Sequence, residues 1–244
     1  VIYLYDPRIC LDKKSQIIES DLSQNHQKHL RALRPDEGEL LSFLDFLGTA
    51  AEYKIVSKRP LTLSFLKIKQ KPESKIKTHL YLAAPLGPAL EQAIEQATEA
   101  GYDNIHLIRS KHVQYPKNKE LNFSRLKRIV EASCLQCGRF FAPELAEEMI
   151  DFSLALNQSQ SDLSVFADET SAKNLWGSDH CEPLKAREKI SIFIGPEGGW
   201  AEDERVALRK QSRVFSLGPH ILRVPTAVVS AYVLAWKEIQ YETK

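Results

Sequence analysis

Hydrophobic and polar positions follow two different rhythms along this chain. Through residue 68 the apolar residues come in short runs or alternate with polar ones. Ile2–Tyr5 is an apolar run, and residues 38–58 hold alternating and apolar stretches broken at Gly48. Leu61, Leu63, Phe65 or Leu66, and Ile68 alternate with polar neighbours. These patterns predict strands, and several short strands close in sequence predict a small β-barrel over residues 1–70. Residues 22–34, LSQNHQKHLRALR, interrupt them as a short helix or helical turn. Residues 69–77 are charged, carry Pro72 and Ser74, and read as a linker.

Beyond the linker, over residues 77–244, strand and helix patterns alternate, which predicts an α/β domain with a mainly parallel sheet. THLYLAAPL reads as a strand. GPALEQAIEQATEAG reads as a helix with Leu90, Ala93, Ile94 and Ala97 on one face and Gly101 ending it. NIHLIRS is a strand; FSRLKRIVEASCLQCGR is a helix with Leu126, Ile129, Val130, Ser133 and Cys137 along a face. PELAEEMIDFSLAL reads as a further helix. DLSVFAD, KISIFIG and SRVFSLG read as strands, with DERVALRKQ a helix before the last of them. The final helix, TAVVSAYVLAWKEI, is apolar on most sides, so its own domain or a partner must cover it.

Composition adds bounds. A hydrophobic content of 43% is ordinary for a soluble globular protein. No stretch approaches the roughly 20 apolar residues of a membrane span, and no basic N-region precedes an apolar run, so no membrane association and no secretory leader are expected. The net charge of +1 hides an asymmetry: residues 1–80 are basic and the rest acidic. A basic N-terminal part suits a polyanion partner, though plain solvated surface explains it equally. The four cysteines are Cys10, Cys134, Cys137 and Cys181. The CxxC at 134–137 sits in a helical pattern with no second ligand pair, so ordinary thiols are expected and no metal. Few cysteines and no leader point to the cytoplasm.

Two stretches concentrate the chemistry. FIGPEGGWAEDE (193–204) and RVFSLGPHILRVPTAVVSA (213–231) each run from strand through a Gly-Pro loop into a helix. Loops off the carboxyl ends of parallel strands are where ligands sit in open α/β sheets. The ligand is not read as a triphosphate, because neither a P-loop nor a strand-G-x-G-x-x-G-helix pattern occurs. Gly195, Gly198 and Gly199 let backbone groups meet a flat base edge. Two tight turns that merely reverse the chain are the alternative; the tandem arrangement, with Arg223 just beyond, argues for function.

Together FIGPEGGWAEDE and LGPHILRVPTA resemble the bacterial 16S ribosomal RNA uridine-N3 methyltransferase family of the SPOUT superfamily. RLKRIVEASCLQCGRFFAPEL and HLRALR extend the resemblance over most of the chain. It implies a SPOUT-type α/β domain with a C-terminal trefoil knot, preceded by a small PUA-like β-barrel that grips RNA. It implies a homodimer acting on 16S ribosomal RNA or the small ribosomal subunit, with S-adenosylmethionine as cofactor. The cofactor-binding residues it implies are Gly195, Pro196, Glu197, Gly198, Gly199, Leu217, Gly218, Ile221, Leu222 and Arg223. His29, Arg31 and Arg34 would face RNA, and Arg139 matches an arginine that is structural or RNA-facing.

Methyl transfer from a sulfonium needs alignment and exclusion of water. Uridine N3 must lose its proton, which needs a base or a cation that stabilises the anion. Arg223 and Glu197 are the candidates for these catalytic roles, although Glu197 could equally cap the next helix. Where the family usually reads Leu-Arg-x-Glu-Thr-Ala, this chain has Pro225 in place of the glutamate. A non-catalytic RNA-binding relative, or a SPOUT enzyme with another RNA target, are the competing readings. Glu202, Asp203 and Glu204 are expected to complement a helix start. Trp176 and Trp200 are given packing or surface roles; the histidines at 106, 112, 180 and 220 show no metal spacing, and His220, in the second loop, is read as solvated with ligand contact as the alternative.

Overall fold

The computed structural model describes residues 1–113, 121–159, 163–168 and 189–241, with side chains through Trp236. Trp176, His180 and Cys181 lie outside the described residues. The chain divides into two compact units, residues 1–73 with 134–142, and residues 74–133 with 143–244.

In the first unit, β1 (Ile2–Tyr5), β2 (Gln16–Ile18), β3 (Leu40–Leu44), β4 (Thr49–Lys58) and β5 (Leu61–Gln70) form one sheet in the order β1-β3-β4-β5-β2. β1 pairs with β3 in parallel and the other pairs are antiparallel. The alternation of apolar positions puts Leu41, Phe43, Tyr53, Ile55 and Leu63 into a core with Leu4, Ile17 and Leu30. Two helices close this core, α1 (Pro7–Asp12) and α2 (Gln24–Leu33). The sequence reading found α2 and missed α1, although its start is legible: the Asp6 side chain caps the Arg8 N–H and Pro7 occupies the first turn.

The second unit is built on six strands, β6 (Lys77–Ala83), β7 (Asn104–Arg109), β8 (Glu144–Asp151), β9 (Leu163–Ala167), β10 (Lys189–Ile194) and β11 (Arg213–Phe215). Their order is β11-β9-β10-β6-β7-β8 and the pairings are parallel. The helices are α3 (Pro88–Ala100), α4 (Phe123–Cys137), α5 (Phe152–Gln158), α6 (Glu202–Gln211) and α7 (Val224–Tyr241). The central strands are apolar on both faces, as strands covered by helices must be. Tyr81, Phe166 and Phe193 pack with Ala155 of α5 and Leu208 of α6. Elsewhere α3 packs on α7, and the Tyr102 hydroxyl donates to the Val228 carbonyl at 3.0 Å.

One predicted helix is wrong. PELAEEMIDFSLAL forms β8 and then the short α5. Leu145, Met149 and Ile150 have helical spacing, but the open edge of β7 supplies backbone partners that local periodicity cannot anticipate. The pairing shifts register between Ile105 and Leu107 to fit them. Glu144, Glu147 and Glu148 are exposed, a charged pattern suited to a sheet edge.

An aromatic ladder crosses this sheet. His79 and His106 stack, His106 stacks on Tyr81 and Tyr81 on Phe193, with a 3.2 Å contact between the His79 Nδ1 and the His106 Nε2. Burial, with the Lys189 cation nearby, pushes both imidazoles down to about 4 from an ordinary 6.5. The unfolded chain therefore takes up these protons near 6.5 while the native state refuses them until about 4. Native stability is full above that window and is lost as pH falls through it. Melting temperatures measured from pH 7 to pH 4 should drop, and a His79→Asn, His106→Asn variant should show a shallower fall.

Candidate functional site

Beyond the carboxyl ends of β9, β10 and β11 lies a cavity of about 700 Å³. Gly195 to Gly199 form one wall, in the loop after β10. Leu217, Gly218, Ile221, Leu222 and Arg223, between β11 and α7, form another. The structure thus brings together all ten residues named for the cofactor. Ala167 at the end of β9, Asp168 just beyond it, Ala89 and Gln92 of α3, Trp200 and His220 also line it, and the sequence reading gave no site role to Ala89, Gln92, Ala167 or Asp168.

Local chemistry shapes the first loop. Trp200 is buried beneath it and donates from Nε1 to the Ala167 carbonyl at 3.1 Å. A Cβ on Gly195 would stand 3.1 Å from the Trp200 ring, so glycine is what lets the loop lie on the indole. The Gly199 N–H donates to the Pro196 carbonyl at 2.9 Å, closing a turn with Gly199 at φ +69°. From the loop after β7, His112 Nδ1 lies 3.1 Å from both the Gly198 and Gly199 carbonyls. Carbonyls only accept, so Nδ1 carries the proton and His112 clamps the glycine pair.

The acids after Trp200 do more than face a helix start. Glu204 is buried; its carboxylate accepts from the Ala201 N–H at 3.0 Å and from the Lys111 N–H at 2.9 Å. It therefore both caps α6 and ties the β7 loop to the β10 loop. Loss of the His112 bonds should loosen the glycine turn alone. His112→Ala is expected to speed hydrogen exchange at the Gly199 amide by about ten-fold while amides of α7 keep their rates.

The second loop is more open. Gly218 has φ +126° and a Cβ there would meet nothing within 4 Å. Ile221 is 83% exposed, and Arg223 is exposed. The Arg223 carbonyl accepts the Ala227 N–H at 2.9 Å as α7 begins. Pro225 is buried within the first turn, where the missing N–H costs nothing. Glu197 is exposed on the first loop, whereas Asp168 is buried and held by Arg205 at 3.2 Å and Arg209 at 3.0 Å.

His29, Arg31 and Arg34 are exposed, but His29 and Arg31 are two apart on α2 and face different ways. Arg31 is paired with Glu19 at 2.6 Å, and Arg34 ends the helix with φ +49°. Arg139 lies on another segment, half-buried, with Nε donating to the Phe141 carbonyl at 2.6 Å. That bond shapes the turn after α4. Cys10 and Cys134 are buried and Cys137 is exposed; burial pushes the Cys10 thiol up to about 11. Among the described residues no three His, Cys, Asp or Glu side chains cluster to hold a metal, and no helix is long and apolar enough to cross a membrane.

A parallel sheet whose glycine loops wall a cavity off its carboxyl ends defines an α/β protein that holds a small ligand there. The RNA methyltransferase domain family matches residues 72–236, and the chain belongs to that family. Among relatives, the ribosomal RNA small subunit methyltransferase E of Rickettsia conorii is 27% identical over 220 residues, 88% of this chain and 86% of its own. The protein of the same name from Buchnera aphidicola subsp. Schizaphis graminum is 25% identical over 230 residues, 89% of each. Among solved structures, ribosomal RNA small subunit methyltransferase E from Neisseria gonorrhoeae, bound to S-adenosylmethionine, superposes with a TM-score of 0.76. It is 22% identical and 97% of each chain is covered. A putative methyltransferase from Legionella pneumophila in complex with S-adenosylmethionine gives a TM-score of 0.73 at 24% identity, covering 97% of this chain and 98% of that one. These likenesses extend the shared fold to nearly the whole chain.

Proposed function

We propose that this chain methylates N3 of a uridine in 16S ribosomal RNA, using S-adenosylmethionine. The observation that carries the reading is the cavity after β9, β10 and β11, which gathers every glycine-loop residue the resemblance assigns to the cofactor. The residues present fit that group. Its roughly 700 Å³ lies within the range of small-molecule pockets. The lining pairs apolar Leu217, Ile221 and Leu222 with the backbone of Gly195, Gly198 and Gly218, as a flat adenine with polar edges requires.

When bound, S-adenosylmethionine supplies an electrophilic methyl. The chain's own residues must hold the uracil in line and manage the N3 proton. Arg223, exposed at the cavity, stabilises negative charge at a uracil carbonyl and so favours the deprotonated base. Asp168 is engaged by two arginines and is poorly suited to accept a proton. Glu197, exposed on the glycine loop, is the remaining carboxylate at the cavity among the described residues and is assigned the proton-accepting or loop-orienting role.

The same reading carries the finer assignments. They are a SPOUT-type knot in residues 77–244, a PUA-like barrel in residues 1–70, a cytoplasmic homodimer, and RNA contacts by His29, Arg31, Arg34 and Arg139. Val233 on α7 is 56% exposed in the single chain, an apolar residue that a second copy would cover. The test is methyl transfer from radiolabelled S-adenosylmethionine to small ribosomal subunits lacking the modification. Label recovered in 3-methyluridine is expected. No label, with cofactor and RNA both bound, would instead make the chain a binding relative in which Pro225 has replaced a needed carboxylate.

A further inference from the structure

The β3–β4 connection of the first unit holds a feature that the cavity does not use. Phe46 sits at φ +58°, a left-handed conformation that is costly for a bulky side chain. Its ring stacks on Tyr5, with centroids 4.7 Å apart and planes within 13°. Tyr5 remains 41% exposed and the next residue, Leu47, 79% exposed. The loop is firmly built: the Asp45 carboxylate accepts the Leu47 and Thr49 N–H groups at 2.7 and 2.9 Å. So a rigid backbone holds an aromatic pair partly in solvent, and in a conformation that glycine would adopt more easily.

We propose that Tyr5 and Phe46 form a stacking platform for an unpaired RNA base, an inference that rests on the RNA-methyltransferase reading. Aromatic faces bind unstacked bases without regard to sequence, while cations beside them take the backbone phosphates. Lys71 supplies the cation: its ammonium lies 4.5 Å over the ring of Phe140, which belongs to the cluster that Phe46 packs against. The carboxylates nearby are occupied, Asp45 by backbone donors and Asp6 by Arg8 at 3.0 Å.

The test compares the parent with Phe46→Gly and Tyr5→Ala. Affinity for unmodified small ribosomal subunits is read by filter binding, melting temperature by calorimetry, and self-association by sedimentation. Phe46→Gly relieves the left-handed strain but gives up the ring's packing against Leu44, Ala50 and Phe140, so the two effects offset and it should melt close to the parent. Each variant should still bind RNA about ten-fold more weakly and bind S-adenosylmethionine unchanged. RNA affinity unchanged in both variants would overturn the platform while leaving the methyltransferase reading intact. A changed oligomeric state without loss of RNA affinity would make the pair a protein interface and overturn it too. A parent that binds S-adenosylmethionine but no ribosomal RNA would overturn the reading beneath the proposal as well.

Discussion

Arg223→Ala is expected to slow methyl transfer by about a hundred-fold or more while S-adenosylmethionine still binds. Two features separate the side chain from its backbone. The Arg223 carbonyl accepts the Ala227 N–H as α7 begins, a contact that alanine keeps. The guanidinium is exposed at the cavity, where it meets charge that develops only as N3 loses its proton. An interaction made only with developing charge shows in the rate of the chemical step and not in ground-state binding. Arg223→Lys should recover part of the rate, because a point charge replaces a planar fork. Single-turnover transfer at saturating RNA, with cofactor affinity by calorimetry, reads both. Cofactor affinity lost in parallel with rate would mean that Arg223 builds the pocket and does not serve the chemistry.

How far the sequence anticipates this molecule depends on whether a signal is local. The two glycine loops were legible because strand, Gly-Pro turn and helix follow one another within a dozen residues, and both loops do line one cavity. The strands β6, β7, β9 and β10 were legible because sheets covered on both faces need continuous apolar runs. β8 was not, because its apolar spacing fits a helix and only the free edge of β7 makes it a strand. His112 and Glu204 escaped for a related reason. Each acts on a loop nearly ninety or more residues away, His112 on Gly198 and Gly199 and Glu204 on Lys111. A lone histidine and one acid among three carry no mark of such a partner. Phe46 could not be singled out either, since backbone conformation and not residue type makes it unusual.

Asp168 is the strongest case of a residue that only the fold explains, and its removal is expected to have the largest effect on stability. It ends β9, and its N–H donates to the Phe215 carbonyl of β11 at 3.2 Å. Its carboxylate is fully buried and accepts from Arg205 and Arg209 of α6. The preceding carbonyl, that of Ala167, receives the Trp200 indole N–H. One short segment therefore joins two strands, a helix and the floor of the glycine loop. Asp168→Ala takes a fully buried carboxylate partner from Arg205, only 15% exposed, and from Arg209. Breaking a buried pair this way costs about 3–5 kcal/mol, and the partial exposure of Arg209 places the expectation near the lower figure. That corresponds to a melting temperature lower by roughly 6–12 °C. Because the same residue lines the cavity, affinity for S-adenosylmethionine should fall with it. A single variant that melts within about 2 °C of the parent would show that the strands and the indole hold this wall without the ion pair.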